Sequence, residues 1–331
     1  MYSWPKTLLR GLAYENLTIV FGAGIPYEFE FPLWGTLVEK IISELDNRLN
    51  TDEKKELEEY TNTKDYLNAI ELLMYKDKES TLDLLENMFR YESFDKYQLE
   101  DSNADLLFKL NANHYITTNI DNSLEEVKGL SGKKAANIYS YKNEKDIRDK
   151  LIFHNSERDP LIVRIHGELR DHSSLIFSQT QYTDLNKEEL FVFTQLLPSL
   201  FLTSIVLIVG YSISDPDIQL ILEKSASVKG NKDNIFFINA DCNQTKHQKR
   251  MFSKRYGIKV IDVYNVEENN ITESLKIALK ELVHLKNIIK NYDTTEKREL
   301  FKEKKINIID FLGAISYSLL KYIRRIYKKI I

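Results

Sequence analysis

Six short segments rich in apolar and β-branched side chains constrain the fold of this chain more than any other feature. The first, residues 17–21 (LTIVF), is uniformly apolar and ends at Gly22, which is typical of a strand buried on both faces of a parallel sheet. The others lie at residues 114–118, 161–165, 205–209, 235–238 and 259–263. Helical patterns separate most of them, notably residues 187–202 and 216–225. Strands alternating with helices predict an α/β fold with a doubly wound, mainly parallel, Rossmann-like sheet and helices on both faces.

A helical insertion and a helical tail complete the predicted organisation. Residues 50–112 are rich in Glu, Lys and Leu, contain no glycine or proline, and show periods of three and four, which predicts three or four inserted helices. We expect a main domain of residues 1–290 that contains this insertion. Residues 291–331 carry apolar side chains at helical spacing and basic side chains near the end. They predict a basic amphipathic helical tail, which we expect to pack on the body or on a neighbouring subunit rather than on a membrane.

A glycine-rich turn, Gly22-Ala23-Gly24, follows the first predicted strand directly. Glycine here lets the backbone turn tightly and approach a pyrophosphate, which then lies near free amides at a helix N-terminus. We expect that helix to start at Thr36, because Thr36 and Glu39 fit a capping box. The dinucleotide fingerprint G-x-G-x-x-G is incomplete, since position 27 is tyrosine. For this motif alone, a tight turn without a ligand is therefore an equal alternative.

Polar side chains follow the other predicted strands where a ligand site is expected. The carboxyl ends of parallel strands meet at one edge of a sheet, and ligands of open α/β sheets bind there. Five successive strands end in glycine or in side chains able to bind or catalyse, and together they predict a site at this edge. Beyond the glycine turn, these residues are Asn119 and Asp121, His166 and Gly167, Gly210, Tyr211, Ser212 and Asp215, and Asn239 and Asp241.

Taken in order, these motifs resemble those of sirtuins. The matching segments are Gly22-Ala23-Gly24-Ile25, Thr117-Thr118-Asn119-Ile120-Asp121, His166-Gly167, Gly210-Tyr211-Ser212 and Ile238-Asn239. They look most like the sirtuin-like NAD-hydrolysing domains of bacterial antiphage defence proteins, where Pro32-Leu33-Trp34 and the run from Gly210 to Asp215 also have counterparts. The match covers roughly residues 17–263, and the helical insertion contributes nothing to it.

The resemblance implies that residues 1–290 form a catalytic domain that binds NAD as its substrate and releases nicotinamide. Asn119 would position the nicotinamide ribose and an attacking water, His166 would act as general base, and Asp121 would support the nicotinamide pocket. The glycine turn would hold the phosphates, while Ser212 and Asn239 would contact the adenosine half. The NAD-binding residues implied in this way are Gly22, Ala23, Gly24, Ile25, Trp34, Thr118, Gly210, Tyr211, Ser212, Asp215 and Asn239.

The residue types agree with this chemistry independently. Breaking an N-glycosidic bond to a cationic leaving group builds positive charge on the ribose, which calls for an oriented polar group and a base. A histidine can take a proton from water or from a ribose hydroxyl near neutral pH. An asparagine offers a donor and an acceptor without adding charge.

Two departures from the sirtuin pattern bear on the reaction. Sirtuin deacylases carry a four-cysteine zinc ribbon, whereas Cys242 is the one cysteine of this chain. We therefore expect no metal site, and deacylation is disfavoured. After the glycine turn, Pro26 and residues 27–31 (YEFEF) replace the usual residues of the family, so the loop over the nicotinamide pocket is expected to differ from that of deacylases.

Structural roles are the alternative for several of these residues. Asn119 alone could cap a turn, and Asp121 alone could cap the helix that follows. Asp215-Pro216-Asp217 is predicted to be mainly structural: an N-cap, a proline at the first helical position, and an acid near the positive end of the helix dipole.

Three functions stay open from the sequence. The first is an NAD glycohydrolase that depletes NAD on demand in antiphage defence, and this is our prediction. The second is an NAD-dependent transferase, either a deacylase or an ADP-ribosyltransferase. The third is a non-catalytic sensor of NAD or ADP-ribose, which the presence of both Asn119 and His166 disfavours.

Charge and composition limit the cellular compartment and the kinds of partner that we expect for this chain. A net charge of −4 argues against direct nucleic-acid binding, although 12 basic and 5 acidic side chains follow from position 286 onward, against 34 basic and 45 acidic before it. No segment reaches the roughly 18 consecutive apolar residues of a membrane span, and no signal-peptide pattern is present, so we expect a cytoplasmic protein. Because an unregulated NADase would poison its own cell, we expect a homo-oligomer or an activating partner such as a phage protein or a defence-system ATPase.

Overall fold

The computed structural model describes residues 2–90, 96–130, 138–152, 160–187, 190–225, 233–241, 243–263 and 270–292, together with residues 295 and 297. Cys242 and nearly all of the predicted tail lie outside the described residues.

The described residues form one sheet of seven parallel strands. They are β1 Leu17–Phe21, β2 His114–Thr117, β3 Ile138–Ser140, β4 Leu161–Arg164, β5 Ile205–Val209, β6 Ile235–Asn239 and β7 Lys259–Asp262. The order across the sheet is β3-β4-β2-β1-β5-β6-β7, and every neighbouring pair is parallel. All residues of β1, β4 and β6 are buried, since helices cover both faces of the sheet. The predicted fold class is confirmed.

The chain order creates a crevice at the carboxyl ends of β1 and β5. From β1 the chain fills one side of the sheet with β2, β3 and β4, and it then returns to place β5 on the other side of β1. Connections that leave a sheet in opposite directions open a crevice at this point, where ligands bind. The six predicted strands are all observed, with ends within one residue of the prediction. The edge strand β3 is not predicted, because three residues are too few to show a period.

The α-helices of the described residues surround this sheet. Their bounds are α1 Lys6–Ala13, α2 Trp34–Leu45, α3 Thr51–Thr63, α4 Tyr66–Lys76, α5 Lys78–Phe89, α6 Lys96–Leu99, α7 Asn103–Lys109, α8 Ser123–Leu130, α9 Glu144–Ile152, α10 Gln179–Lys187, α11 Leu197–Thr203, α12 Pro216–Ser225, α13 Lys246–Tyr256 and α14 Ile271–Lys290. The insertion contains five of them, α3 to α7, where the periodicity predicts three or four. The single turn of α6 is too short to produce a period. Within the described residues, no helix has the length and apolar character needed to cross a membrane.

The start of α2 differs from its prediction. The helix begins at Trp34 with Leu33 as its N-cap, and no side chain caps it. The capping box predicted at Thr36 and Glu39 is therefore wrong, because Thr36 already lies inside the first turn. A 3-10 turn at Pro26–Phe29 separates α2 from the glycine turn, so no α-helix N-terminus follows the glycines directly.

The helix predicted at residues 187–202 is also divided. The helix α10 ends at Lys187, a π-helical turn spans Val192–Leu196, and α11 follows. Pro198 lies in the first turn of α11. A proline has no amide hydrogen for the regular helical ladder, which accounts for the irregular turn before it.

Three apolar clusters hold these layers together. Ile19 and Phe21 of β1 pack into a cluster with α1, α7 and α14, whereas Val20 packs on the opposite face of the sheet, as alternation along a strand requires. The third cluster joins α2 to α3, α4 and α5. It also contains Ile120 and Leu169, which follow β2 and β4, so the helical insertion packs beside the carboxyl edge of the sheet.

Candidate active site

The glycine turn is bound to the end of β5 by backbone hydrogen bonds. The Gly22 amide donates to the Val209 carbonyl (3.1 Å) and the Gly24 amide to the Gly210 carbonyl (2.9 Å), while the Ile25 amide closes the turn on the Gly22 carbonyl (3.1 Å). Ala23 is exposed. Its amide donates no hydrogen bond to any described residue, so it is the amide of this turn that is open to a ligand.

Close packing explains why these positions are glycines. A Cβ on Gly22 would lie 2.5 Å from the ring of Tyr211, and one on Gly24 would lie 2.9 Å from the Gly210 carbonyl oxygen. The Tyr211 hydroxyl donates to the Phe21 carbonyl (2.9 Å) and also contacts the Thr118 hydroxyl (3.1 Å). Gly210 itself has a φ of +75°, which favours glycine. The predicted close approach of a pyrophosphate is thus not needed to account for the glycines.

The loop after β2 joins the same unit. The Asn119 side-chain amide donates to the Gly22 carbonyl (3.1 Å), and the Asn119 backbone amide donates to the Thr117 hydroxyl (3.0 Å). That hydroxyl in turn donates to the Phe21 carbonyl (2.9 Å). Asn119 is 8% exposed. The predicted reaction centre and the predicted phosphate turn are therefore in direct contact.

Asp121 lies two residues before the helix α8 and is buried. Its Oδ1 accepts hydrogen bonds from the backbone amide of Ser123 (3.0 Å) and from the Ser123 hydroxyl. Burial raises the pKa of Asp121. The carboxylate thus closes a turn onto Ser123, the first residue of α8, and the helix-capping role of Asp121 stays a prediction. Any contact with the nicotinamide pocket stays a prediction.

Arg164 holds the loop of Asn119 and Asp121 from the neighbouring strand. This buried side chain, the last residue of β4, donates to the Asp121 carbonyl (2.6 Å) and pairs with both carboxylate oxygens of Glu125 (2.9 and 2.8 Å). An arginine–carboxylate pair with two parallel hydrogen bonds fixes geometry as well as charge. Arg164 therefore sets the position of the loop that carries Asn119.

His166 leaves the sheet beside Asn119. Thr117 and Arg164 are paired in the register of β2 and β4, so the two segments that follow run side by side. His166 is 3% exposed, and burial lowers its pKa to about 3. Its Nε2 lies 3.3 Å from the Tyr182 hydroxyl and 3.7 Å from Oδ1 of Asp217. Burial raises the pKa of Asp217 to about 7.

The residues predicted for the adenosine half lie beyond β5 and β6. The Ser212 hydroxyl contacts that of Ser214 (2.9 Å) and accepts a hydrogen bond from the Gln244 side chain (3.3 Å). The Asn239 amide donates to Oδ1 of Asp262 (2.8 Å), whereas its side-chain oxygen is buried without a hydrogen-bond partner among the described residues. This unpaired acceptor is what a ligand hydroxyl or amine would satisfy.

Asp215 and Trp34 have structural contacts of their own. Asp215 accepts a hydrogen bond from the Asp217 amide (2.9 Å), as predicted for an N-cap of α12. Burial raises the pKa of Asp215 to about 6. Trp34 packs against Phe177, with ring centroids 5.5 Å apart, in the cluster between α2 and the insertion. A direct contact of Asp215 or Trp34 with NAD stays a prediction.

The replaced segment after the glycine turn is anchored from outside the site. Glu28 accepts a hydrogen bond from the Asn103 amide at the start of α7 and pairs with Lys276 of α14 (3.0 Å). Desolvation raises the pKa of Glu28. This loop is therefore fastened to two helices on the side of the sheet where α14 packs.

Three residues of the site were not among the predicted ones: Arg164, Tyr182 and Asp217. An arginine closing the apolar segment LIVR is one signal that could have identified Arg164. Asp217 precedes Ile218, Ile221 and Leu222 on the buried face of α12, and an acid on such a face is unusual. Tyr182 gives no signal, because its role depends on where α10 packs.

The described part of the chain offers no candidate metal site. There, no three His, Cys, Asp or Glu side chains come together in an arrangement able to hold a metal ion.

The sequence profile of the SIR2-like domain matches residues 113–261, which include β2 to β6, most of β7 and the segments carrying Asn119, His166 and Asp217. Residues 113–261 are therefore similar to SIR2-like domains. The glycine turn after β1 precedes the matched residues, and the hydrogen bond from Asn119 to Gly22 connects the two.

Three curated bacterial proteins are similar to this chain. Defense-associated sirtuin 2 of Bacillus subtilis is 22% identical over 94% of the chain and 29% of its own length. Two proteins named NAD(+) hydrolase ThsA are also similar. The protein of Enterococcus faecium is 24% identical over 66% of the chain and 41% of its own length. The protein of Cytobacillus dafuensis is 23% identical over 88% of the chain and 53% of its own length. The chain thus spans about a third to a half of the relatives it matches.

A solved structure from work on the mechanism and regulation of Sir2 enzymes aligns with 87% of this chain and 98% of its own, at 12% identity and a TM-score of 0.43.

Proposed function

We propose that this chain is an NAD glycohydrolase, which cleaves NAD to nicotinamide and ADP-ribose and so depletes NAD in antiphage defence. The observation that carries the proposal is the 3.1 Å hydrogen bond from the Asn119 amide to the Gly22 carbonyl, which joins the candidate reaction centre to the candidate phosphate turn. The names of the relatives, NAD(+) hydrolase and defense-associated sirtuin, support the same activity.

Substrate binding would begin at the glycine turn. The open amide of Ala23 is able to donate to a phosphate oxygen, and Ser212 offers a hydroxyl beyond β5. The unpaired side-chain oxygen of Asn239 would accept a hydrogen bond from the adenosine half. Because Val209 and Gly210 hold the turn at both ends, NAD would meet a preformed surface, and little ordering would be needed on binding.

Cleavage would take place at the Asn119 end of the site. The bond between the ribose C1′ and nicotinamide breaks, and its electron pair leaves with the nicotinamide nitrogen. A water oxygen then bonds to C1′, and the proton that the water loses passes to His166. With its amide held by Gly22, Asn119 retains its side-chain oxygen to orient this water.

Nicotinamide release from NAD by the purified chain tests this proposal. Asn119→Ala should lower the rate at least about 100-fold, because an unoriented water loses the advantage of proximity. Asn16→Ala is the matched control: its side chain also donates to a backbone carbonyl (that of Thr203, 3.0 Å), but it is exposed and directly precedes β1, at the opposite end of the strand. This control should retain the parent rate.

Other outcomes would favour other functions. Tight NAD binding without turnover in any assembly state would reject hydrolysis in favour of a sensor. Release that requires an acyl-lysine peptide would indicate a deacylase, and release coupled to labelling of a protein would indicate an ADP-ribosyltransferase.

Control of the activity is the second part of the proposal. We infer that turnover depends on self-association or on an activating protein, because free turnover would exhaust the NAD of the cell. Light scattering across a concentration series, with nicotinamide release measured at each concentration, tests this. A monomer that turns over at its full rate without a partner would contradict it.

A further inference from the structure

A buried acid faces the candidate general base from a different element. Asp217 lies in the first turn of α12 and is 5% exposed. Its Oδ1 is 3.7 Å from Nε2 of His166, and it has no hydrogen-bond partner among the described residues. Buried carboxylate oxygens are normally paired, so an unpaired one aimed at a histidine calls for an explanation.

Burial alone makes His166 a poor base. Removal from water lowers its pKa to about 3, because an imidazolium without a counter-charge is unfavourable in the interior. A histidine with so low a pKa is almost entirely unprotonated at neutral pH and is a weak acceptor for the proton of water. A facing carboxylate offsets that cost, since it stabilises the cation that forms when the histidine is protonated.

We propose that Asp217 is a positioning residue that selects the tautomer of His166 and stabilises its protonated form during NAD cleavage. The inference rests on the proposed function, in which His166 is the general base. Ionised Asp217 accepts a hydrogen bond from Nε2–H once Oδ1 and Nε2 approach each other by somewhat less than 1 Å, which brings them to the usual donor–acceptor distance. The proton of the attacking water then passes to Nδ1, and the charge of the imidazolium is balanced by the Asp217 carboxylate.

A hydrogen bond from Tyr182 stabilises the other tautomer of His166. Its hydroxyl is 3.3 Å from the same Nε2. When Asp217 is protonated, Tyr182 donates to Nε2, the ring proton sits on Nδ1, and His166 has no free nitrogen for the water proton. Among the described residues, the titratable groups that face His166 are Asp217 from α12 and Tyr182 from α10. Asp215 accepts a hydrogen bond from the backbone amide of Asp217. Ionisation of Asp217 converts the inactive tautomer to the active one.

Kinetics of Asp217→Asn and of a matched variant form the first test. Glu223→Gln is the control, because it removes a carboxylate from the same helix at an exposed ion pair with Arg255. We expect Asp217→Asn to lower kcat about 10- to 100-fold, the worth of a charge-assisted hydrogen bond, with KM for NAD nearly unchanged. The parent rate should rise with pH through about 7 as Asp217 ionises, and this rise should be absent in Asp217→Asn.

Nitrogen NMR of the histidine rings is the second test and needs no turnover. In ¹⁵N-histidine-labelled protein, with the His166 signals assigned through His166→Gln, the parent should change from Nδ1–H to Nε2–H as pH rises from 5 to about 8. Asp217→Asn should lack this change, and Glu223→Gln should retain it. In Tyr182→Phe, which leaves the carboxylate in place, Nε2–H should dominate from a lower pH.

The two tests separate this inference from the proposed function. A single His166 tautomer throughout the titration of the parent would overturn the role of Asp217, as would nicotinamide release by Asp217→Asn at the parent rate with the parent pH profile. No release by the parent, together with a tautomer that follows Asp217, would instead reject the hydrolase and leave the pairing standing.

Discussion

Replacing Gly22 by alanine tests whether the glycine turn is built by close packing. A Cβ atom at this position would lie 2.5, 2.6 and 2.8 Å from three ring carbons of Tyr211. The ring has little freedom to move, because the Phe21 carbonyl and the Thr118 hydroxyl hold its own hydroxyl. Either the ring loses these hydrogen bonds or the turn separates from β5.

The expected cost follows from these two consequences. Overpacking a buried site costs about 1–3 kcal/mol, and a lost buried hydrogen bond adds about 1 kcal/mol. Gly22→Ala should therefore lower the free energy of unfolding by about 2–4 kcal/mol. Gly35→Ala is the matched control: the nearest atom to its Cβ is the Tyr66 hydroxyl, at 3.1 Å and at the far end of a side chain. Alanine is also favoured over glycine inside a helix such as α2, so we expect a change within about 1 kcal/mol.

Urea unfolding followed by circular dichroism measures both values, and a double-mutant cycle isolates the contact. In a Tyr211→Leu background, where most of the ring is gone, Gly22→Ala should cost less than about 1 kcal/mol. An equal cost in both backgrounds would refute the packing explanation, as would a cost no larger than that of Gly35→Ala.

Two further predictions concern stability. Arg164→Met should lower the free energy of unfolding by about 1–3 kcal/mol, since it leaves the buried Asp121 carbonyl and part of Glu125 unpaired. Arg255→Met is the control at an exposed ion pair, and it should change the free energy of unfolding by less than about 1 kcal/mol in the same urea titration. Burial raises the pKa of Asp217 from 3.8 to about 7, so between these values the folded chain binds a proton that the unfolded chain does not, and this group lowers stability as pH rises. The free energy of unfolding of Asp217→Asn, relative to the parent, should therefore increase from pH 4 to 7; a flat difference would show that Asp217 ionises freely in the fold.

The strands of this protein are predictable because their signal is local. An apolar, β-branched segment such as residues 17–21 cannot remain exposed, and its length and the glycine after it distinguish it from a helix. The same applies to α12, whose start at Pro216 is encoded by adjacent residues. The start of α2 is not encoded in this way, because the helix begins at Trp34, after the loop from Pro26 to Leu33, without any side-chain cap.

For the site, the sequence by itself determined which residues follow each strand and therefore which edge of the sheet carries Asn119 and His166. Only the tertiary structure decided their partners. Gly22 against Tyr211, Arg164 against Glu125 and His166 against Asp217 join elements that are distant in the chain. The first contact depends on the pairing of β1 with β5, and the other two depend on how α8 and α12 pack on the sheet. Periodicity reports which side of an element is buried, but it does not report what that side meets.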